Sequence, residues 1–383
     1  MIVGIDASRA FASDRTGTEN YSYQVIKHML RLPGSRRHNF VLFTRPNAIL
    51  PEWTEQKNVF IQPINYRYLW TQVGLAWATW RKFSSSQIDI LWVPAHTLPI
   101  LRRPGLDTAV TIHGLEYQWL PEYRNWLQRW YLPLSTFYAA KWAGSLIAVS
   151  KFTRDQLVKE LHTDAKKIKV IYEGVEGEDK VLRIKDKVRQ HILAKYMIHD
   201  TKYILFVGTI QPRKNLTALI QAFSRISDQI PDYKLVVAGS VGWMAESVLQ
   251  TPGRLGVQEK VIFTGRVDDL VLTALYQGAG IYVQPSLTEG FGLPVLEAMR
   301  WGVPVVSSNG GALGEVVGTA GVVVALGDKF IQNLATAIGG VIGDTRWQKE
   351  LITRGYNRVK ELTWQKTAQE TLLTLTGEED SNK

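Results

Sequence analysis

Short apolar runs alternate with segments of helical periodicity along nearly the whole chain, and this alternation constrains the fold more than any other feature. In the first 173 residues, strand-like runs such as 1–6 and 88–93 are separated by helical segments such as 19–31 and 151–161. The runs are almost entirely apolar, which is typical of strands buried on both faces of a parallel sheet. We therefore predict a doubly wound α/β domain that is Rossmann-like.

The alternation starts again after residues 172–177, a stretch with two glycines where the composition changes. Strand-like runs at 203–207 and 281–284 and a helical segment at 216–226 predict a second doubly wound sheet. We therefore predict two Rossmann-like domains, residues 1–173 and 174–362. Open α/β sheets bind ligands at the carboxyl ends of their strands, so we expect the site in an interdomain cleft.

The positive charge of the chain is concentrated in its first part. The 383 residues carry a formal net charge of +10, and residues 1–173 hold 22 Lys and Arg against 13 Asp and Glu. Nine of the 13 tryptophans also lie before residue 143. Basic and aromatic residues together favour a nucleic acid or an anionic membrane surface, but no nucleic-acid-binding motif is present. We therefore expect an acidic acceptor or membrane beside the first domain, and no nucleic acid.

The chain contains no cysteine, which excludes disulfides, thiolate metal sites and a cysteine nucleophile. Residues 1–15 lack the basic start and the apolar core of a signal peptide. No uncharged apolar run approaches the ~20 residues that cross a bilayer. We expect a cytoplasmic protein that lies on the inner face of the membrane if it contacts a membrane at all.

Two basic residues follow a strand-like run at the start of a predicted helix. Arg213 and Lys214 directly precede the segment 216–226, with Asn215 as its expected N-cap. A helix N-terminus offers free N–H groups and the positive end of the helix dipole, so two cations there create a site suited to a diphosphate. The alternative is an exposed basic loop without a ligand.

The most specific pattern is Pro-Ser-Leu-Thr-Glu-Gly-Phe-Gly-Leu-Pro-Val-Leu-Glu, which begins at residue 285. Glu289 and Glu297 are eight residues apart, and Pro294 marks the expected helix start between them. Gly290 and Gly292 would let backbone N–H groups approach a ligand closely. Carboxylates accept hydrogen bonds from sugar and ribose hydroxyls, so the pattern favours a polyol site. The alternative is a pair of acidic residues that complement a helix dipole.

The first domain offers weaker signals. Gly17 lies between the first strand and the first long helix, but the chain has neither the G-x-G-x-x-G pattern nor a P-loop, so NAD and ATP sites lose support. His96 and His113 each follow a predicted strand, although a lone histidine is more often structural than catalytic. No H-x-x-x-H, H-E-x-x-H or D-x-D motif occurs, and we predict no metal site.

Two aromatic stretches remain, residues 65–82 and 117–142. Trp70, Trp77 and Trp80 recur at spacings of seven and three, as they would on one face of a helix. Such a stripe is either part of the core or an interfacial surface, since Trp and Tyr with flanking Lys and Arg favour the headgroup zone.

With these residues the chain resembles the retaining GT-B glycosyltransferases of family four, the glycosyl transferases group 1 set. The resemblance rests on the E-x7-E motif with its internal G-F-G-L-P, and is supported by the loop at Gly17, the T-I-H that ends at His113 and the R-K-N at 213–215. It covers nearly the whole chain. It implies the GT-B architecture and a C-terminal helix, residues 363–376, that crosses back to the first domain.

The resemblance also implies roles for individual residues. Arg213 and Lys214 would hold the diphosphate of a nucleotide sugar, with help from Gly17. Glu289 would contact hydroxyls of the donor sugar and Glu297 the ribose. The other residues implied in contact with the donor and the transferred sugar are Gly290, the backbone amides of Phe291, Gly292 and Leu293, and His113.

We therefore expect a retaining glycosyltransferase of polysaccharide biosynthesis that moves a mannose-type or glucose-type hexose to a glycan or lipid-linked acceptor. We expect no metal or other cofactor, because the nucleoside-diphosphate sugar is a co-substrate and Arg213, Lys214 and a helix dipole would balance its charge. One alternative is a GT-B-fold sugar-nucleotide epimerase. The other is a non-catalytic protein that binds a sugar nucleotide or a nucleic acid.

Overall fold

The computed structural model describes residues 1–12, 15–66, 68–83, 86–115, 126–176, 183–198 and 202–378. The chain divides into two compact units. The first unit is formed by Met1–Gly174 together with Trp364–Lys383, and the second by Val175–Thr363.

A seven-stranded parallel sheet forms the centre of the first unit. Its strands are Ile2–Asp6 (β1), Asn39–Thr44 (β2), Val59–Pro63 (β3), Ile90–Val93 (β4), Asp107–Ile112 (β5), Ser145–Ala148 (β6) and Ile168–Val170 (β7). They pair in the order β3-β2-β1-β4-β5-β6-β7, so the carboxyl ends of β1, β4 and β5 are neighbours. The helices of this unit are Gly17–Arg31 (α1), Ala76–Ala78 (α2), Trp126–Trp142 (α3), Lys151–Leu161 (α4) and, from the end of the chain, Trp364–Thr376 (α13).

The second unit is built around a six-stranded parallel sheet. Its strands are Lys202–Val207 (β8), Tyr233–Ala238 (β9), Val261–Gly265 (β10), Ile281–Gln284 (β11), Val305–Ser308 (β12) and Val322–Val324 (β13). Their order is β10-β9-β8-β11-β12-β13, which places β8 beside β11. The helices are Asp186–Ala194 (α5), Leu216–Ile226 (α6), Glu246–Arg254 (α7), Asp269–Gly278 (α8), Leu293–Arg300 (α9), Leu313–Val317 (α10), Phe330–Gly343 (α11) and Thr345–Glu361 (α12).

The hydrophobic pattern explains why these segments form a layered fold. All four residues of β4 are buried, as are all four of β11, because helices or loops cover both faces of a central parallel strand. Helix α6 buries Leu216, Leu219 and Phe223 at the spacing of one helical face, and these side chains join the core of the second unit. The prediction of two parallel-sheet α/β units is confirmed.

The final helix belongs to the first unit. Helix α13 packs against α1, and the hydroxyl of Thr367 donates a hydrogen bond to the carbonyl of Tyr172 at 2.8 Å. The ring of Trp364 lies against that of Tyr21, with 6.1 Å between centroids. The chain therefore completes the core of its first unit only with its last described helix.

Candidate functional site

Two loops of the second unit meet at the carboxyl ends of β8 and β11, because these strands are parallel neighbours. The loop after β8 ends in the turn Pro212–Lys214, and the loop after β11 leads to Glu289. The backbone N–H of Leu287 donates to the carbonyl of Arg213 at 2.8 Å. The sheet thus brings together segments that lie about 75 residues apart in sequence.

Asn215 occupies the predicted position before α6, but its side chain does not cap the helix. Its backbone is left-handed, with φ at 54°, a conformation that Asn adopts more readily than most residues. The side-chain amide nitrogen of Asn215 instead donates to the carbonyl of Pro285 at 3.2 Å. The residue predicted as a helix cap therefore ties the two loops together.

Arg213 and Lys214 both bind the carboxylate of Glu289. Nη1 of Arg213 donates to Oε2 at 2.9 Å and Nζ of Lys214 donates to Oε1 at 2.6 Å. The three side chains are only 13%, 11% and 6% exposed. Buried charges are tolerated when they are paired, and here two cations share one anion. These three side chains together carry a net charge of one positive unit.

Neutral donors complete the surroundings of Glu289. The hydroxyl of Ser286 and the side-chain amide of Gln284 donate to Oε1 at 2.6 and 3.0 Å. The hydroxyl of Tyr282 donates to the carbonyl oxygen of that same amide, which orients it. Tyr282 and Gln284 are two residues apart on β11 and therefore lie on the same face of the sheet.

These contacts determine the charge of Glu289. Burial by itself would raise the pKa of this carboxyl group, but Lys214, Arg213 and the hydrogen bonds from Lys214 and Ser286 lower the pKa to about 2. Glu289 is therefore ionised at neutral pH although it is buried.

Glu297 lies in the second turn of α9 and has different surroundings. Its Oε2 accepts a hydrogen bond of 2.8 Å from the hydroxyl of Tyr276. Burial raises the pKa of Glu297, and this effect outweighs the hydrogen bond from Tyr276 and the charge of Arg300. The ring of Tyr276 lies 6.0 Å from that of Tyr282, so two buried tyrosines adjoin the two motif glutamates.

The glycine-containing stretch between the two glutamates forms the start of α9. Gly292 precedes the helix with φ at 105°, and a Cβ atom there would lie 2.7 Å from Cδ2 of Leu313. The φ of 105° would strain any other residue, so the backbone favours glycine at this position. Gly290, Phe291 and Leu293 are buried beside it, and the N–H of Val295 donates to the carbonyl of Gly292 at 3.0 Å.

In the first unit, His113 directly follows β5 and is held at both ring nitrogens. Nδ1 lies 3.0 Å from Oε1 of Glu173, and Nε2 lies 2.9 Å from the carbonyl oxygen of Pro94. The ring of Tyr21 meets it edge-on at 4.6 Å between centroids.

Gly17 is the exposed first residue of α1. No described atom lies within 4 Å of where its Cβ would be, so no contact within the described part of the protein requires glycine there. The Glu19 side chain accepts hydrogen bonds from the backbone N–H and hydroxyl of Thr16, which closes the start of the helix.

The structure brings Arg213, Lys214 and Glu289 into one cluster, and Glu297 lies on the helix that follows. His113 and Gly17 belong to the first unit. Sequence reasoning missed five residues that hold these side chains, namely Glu173, Tyr276, Tyr282, Gln284 and Ser286. For Tyr282 and Gln284 a signal existed, because two polar side chains alternate with Ile281 and Val283 in an otherwise apolar strand.

Comparison with known proteins identifies the family. Residues 188–358 match the family model described as Glycosyl transferases group 1, and residues 15–178 match that of Glycosyltransferase Family 4. O-antigen chain mannosyltransferase B of Escherichia coli is 32% identical over 269 residues, which cover 70% of this chain and 70% of that protein. The chain belongs to the group 1 glycosyltransferases.

Solved structures agree with this group 1 glycosyltransferase in fold. Sucrose-phosphate synthase from Thermosynechococcus elongatus is similar with a TM-score of 0.75 at 20% identity, over 97% of this chain and 98% of that one. HepE of Anabaena in complex with UDP-glucose has a TM-score of 0.72 at 17% identity, over 98% and 99% of the two chains. At such identities the likeness shows the fold, and the predicted GT-B fold is confirmed.

The first aromatic stretch of this glycosyltransferase divides between core and surface. Trp70 is buried, whereas Trp77 and Trp80 are exposed. Trp70–Leu75 forms a π-helix, whose wider turn breaks the regular helical spacing on which a single stripe would depend. The three rings therefore do not form one core-facing stripe. Residues 116–125 of the second stretch lie outside the described part of the chain.

Within the described ranges, no helix is long and apolar enough to span a bilayer. The same residues contain no group of three or more His, Asp or Glu side chains placed to hold a metal ion.

Proposed function

We propose that this group 1 glycosyltransferase moves a hexose of mannose or glucose type from a nucleoside-diphosphate sugar to a glycan or lipid-linked acceptor, with retention of anomeric configuration. The buried cluster in which Arg213 and Lys214 share the carboxylate of Glu289 carries this proposal. The mannosyltransferase name of the E. coli relative supports a mannose-type hexose. The UDP-glucose bound by HepE supports a nucleotide sugar as donor.

The charge of the cluster suits a diphosphate leaving group. Two cations against one carboxylate leave a positive charge in excess, and the N-termini of α6 and α9 add the positive ends of two helix dipoles. As the bond between the sugar and the diphosphate breaks, negative charge builds on the diphosphate. Arg213, Lys214 and the helix starts would stabilise this charge, which is the part that a metal ion plays in D-x-D enzymes.

The other residues would position the sugar and the nucleoside. Glu289 would accept hydrogen bonds from donor sugar hydroxyls, and Glu297 from the ribose. In the first unit, His113 would lie against the transferred sugar and Gly17 would leave room for the phosphate. The backbone amides of Phe291, Gly292 and Leu293 would contact sugar and phosphate. The acceptor hydroxyl, held by the first unit, would attack from the face that the leaving group departs, through an oxocarbenium-like transition state. Its proton would pass to the oxygen of the departing diphosphate as the bond between sugar and diphosphate breaks.

The test begins with a thermal-shift screen of nucleotide sugars that includes GDP-mannose and UDP-glucose. The stabilising donor is then incubated with and without glycan and lipid-linked acceptors, and the products are identified by mass spectrometry and NMR. We expect transfer to an acceptor and a glycosidic bond with the anomeric configuration of the donor. A product of opposite configuration would contradict the retaining mechanism.

The same experiment separates the alternatives. An epimerase would convert the donor to an isomeric sugar nucleotide without any acceptor. A sensor would bind the donor and leave it unconsumed, and a nucleic-acid-binding protein would show no donor-dependent stabilisation.

We also propose that the first unit docks on an anionic membrane surface, on the inner face of the cytoplasmic membrane. Its described residues carry large exposed apolar side chains, with Trp77 65%, Leu101 75% and Trp130 61% exposed. Nε1 of Trp80 donates to the carbonyl of Leu101 at 3.3 Å, which joins the first aromatic stretch to the loop that contains Leu101. We call this set the aromatic surface, and its members are Trp77, Trp80, Ile100, Leu101, Trp130 and Trp142.

The charge around the aromatic surface favours a negatively charged lipid layer. Residues 65–88, 90–106 and 126–154 contain no Asp or Glu. Arg102 donates to the carbonyl of Trp142 at 2.9 Å, and the ammonium of Lys141 lies 5.7 Å from the Trp142 ring centre. Each cation near anionic headgroups contributes about 1 kcal/mol, while Trp rings favour the interface.

Liposome co-sedimentation tests this surface. We expect binding to vesicles that contain phosphatidylglycerol, weaker binding to pure phosphatidylcholine, and at least about a tenfold loss of affinity in the Trp77→Ala/Leu101→Ala variant, because two large apolar groups no longer enter the interface. Ile49→Ala is the matched control, since Ile49 is also an exposed aliphatic residue of the first unit. Equal binding to both vesicle types would refute the role of charge. Concentration-dependent dimerisation lost in the double variant would assign the surface to a second copy instead.

A further inference from the structure

A carboxylate group and a backbone carbonyl lie within hydrogen-bond distance of the two ring nitrogens of His113. The carbonyl oxygen of Pro94 can only accept, so Nε2 must carry a proton to bond with it at 2.9 Å. On the other side, Nδ1 lies 3.0 Å from the carboxylate of Glu173, which is also an acceptor when ionised. When Glu173 is ionised, a ring that satisfies both partners carries two protons.

The two partners come from different strands, which fixes the plane of the ring. Pro94 follows β4, the neighbour of β5, while Glu173 lies beyond β7 at the end of the first part of the chain. Glu173 is 5% exposed and His113 is nearly as well covered, so solvent screens their interaction little. The ring of Tyr21 in α1 packs nearly perpendicular to that of His113, at 85° between planes.

We propose that Glu173 is a positioning residue for sugar transfer, which holds the His113 ring as a doubly protonated, hydrogen-bonded cation. Held in this way, His113 has no free lone pair and does not act as a base toward the acceptor hydroxyl. Its ring is held in one orientation beside the transferred sugar by the two hydrogen bonds. The effect on sugar transfer rests on the function proposed above, whereas the charge state of His113 does not.

The pKa of His96 depends on the charge of His113. The ring of His96, after β4, lies 5.7 Å from that of His113 between centroids. Burial lowers the pKa of His96 to about 3, with further contributions from His113 and from Arg9 after β1. The described groups that face His113 are therefore Glu173, the Pro94 carbonyl, Tyr21 and His96, and Arg9 adds its charge beside His96. If Glu173 keeps His113 charged, removal of the carboxylate should raise the pKa of His96.

NMR of the full-length protein with 15N-labelled histidine tests the charge state without any substrate. The His113 signals are assigned from their loss in His113→Asn. We expect two protonated ring nitrogens for His113 at pH 7 in the wild type and one in Glu173→Gln, together with a higher pKa of His96 in that variant. A bare ring nitrogen on His113 in the wild type, or identical spectra in the two proteins, overturns the proposal.

Kinetics test the positioning role. We expect Glu173→Gln to lower kcat about 10- to 100-fold, the range of one hydrogen bond to a charged group, while the donor KM changes little. Glu173→Asp, which restores the charge, should recover part of kcat. The control is Glu55→Gln, an exposed glutamate of the same unit. An unchanged kcat in Glu173→Gln refutes the positioning role even if the NMR result holds.

The outcomes separate this inference from the proposed function. If the wild type uses none of the tested donors for sugar transfer, the proposed function fails. The NMR experiment still decides whether Glu173 holds His113 charged. Circular dichroism of each variant shows that it is folded, and Glu173→Gln is chosen first because it preserves the shape of the buried side chain.

Discussion

Replacement of Lys214 by methionine is expected to lower kcat/KM for the donor about 100- to 1,000-fold, the cost of removing one group that stabilises transition-state charge. Methionine fills a similar volume but removes one of the two cations that bond to Glu289, and Arg213 remains. The cluster then loses its excess positive charge, which in our proposal receives the diphosphate. The measurement is steady-state kinetics of nucleoside diphosphate release with the donor found in the screen.

Two variants serve as references for Lys214→Met. Lys214→Arg keeps the charge and should retain more activity than the methionine variant. Lys329→Met removes an exposed lysine of the same unit and should have the activity of the wild type. Activity of Lys214→Met within about threefold of wild type would remove Lys214 from the proposed leaving-group site.

Replacement of Glu289 by glutamine is expected to lower both activity and stability. Glutamine can still accept a hydrogen bond, but it leaves Arg213 and Lys214 buried without an anion. Because the surroundings lower the pKa of Glu289 from 4.5 to about 2, its ionisation stabilises the folded state by on the order of 3 kcal/mol at pH 7. We expect the melting temperature to fall by roughly 6–12 °C and kcat/KM by about 100-fold or more.

The stability effect should depend on pH in a defined direction. A carboxyl group whose pKa is lower in the folded state stabilises it fully above the unfolded pKa, and this contribution disappears as the pH falls through the folded pKa. For Glu289 the window runs from about pH 4.5 down to about pH 2. The difference in unfolding free energy between wild type and Glu289→Gln should thus fall to less than about half by pH 3.

Urea unfolding at pH 7, 5, 4 and 3 measures this difference. Carboxyl groups other than Glu289 titrate alike in both proteins, so the difference isolates one residue. Glu259→Gln, an exposed glutamate of the same unit, should show no pH-dependent difference. Equal stability of wild type and Glu289→Gln at pH 7 would show that the cluster does not depend on the charge of Glu289.

The fold was predictable wherever a pattern is local. The strand at Ile281–Gln284 and the helix at Leu216–Ile226 were predicted with these limits, because apolar runs and helical spacing depend only on near neighbours in sequence. Strand β3 was missed, since an edge strand pairs on one side only and Val59–Pro63 is partly exposed and ends in proline. Helix α3 was missed because it contains Pro133 and is apolar on several faces.

In the candidate site, too, the features that depend on local sequence were predictable and the contacts between distant segments were not. The motif spacing placed Glu289 on a loop and Glu297 in a helix, and the structure has both there. The pairing of Glu289 with Arg213 and Lys214 was not predicted, because it depends on which strands are neighbours in the sheet. The spacing of residues also did not predict which side chains are buried, because Trp70 is buried whereas Trp77 is exposed.

By itself, the sequence determined the α/β class, the two parallel sheets, the family resemblance and the residues that bear charge near helix starts. These properties follow from hydrophobic periodicity and motif spacing, which act over short stretches of chain. Only the tertiary structure decided that two cations and Glu289 share one buried cluster, that Glu173 lies against His113, and which tryptophans face solvent. Such contacts arise where distant segments meet at the edge of a sheet, and the free energy of a charge depends on the partners and burial it finds there.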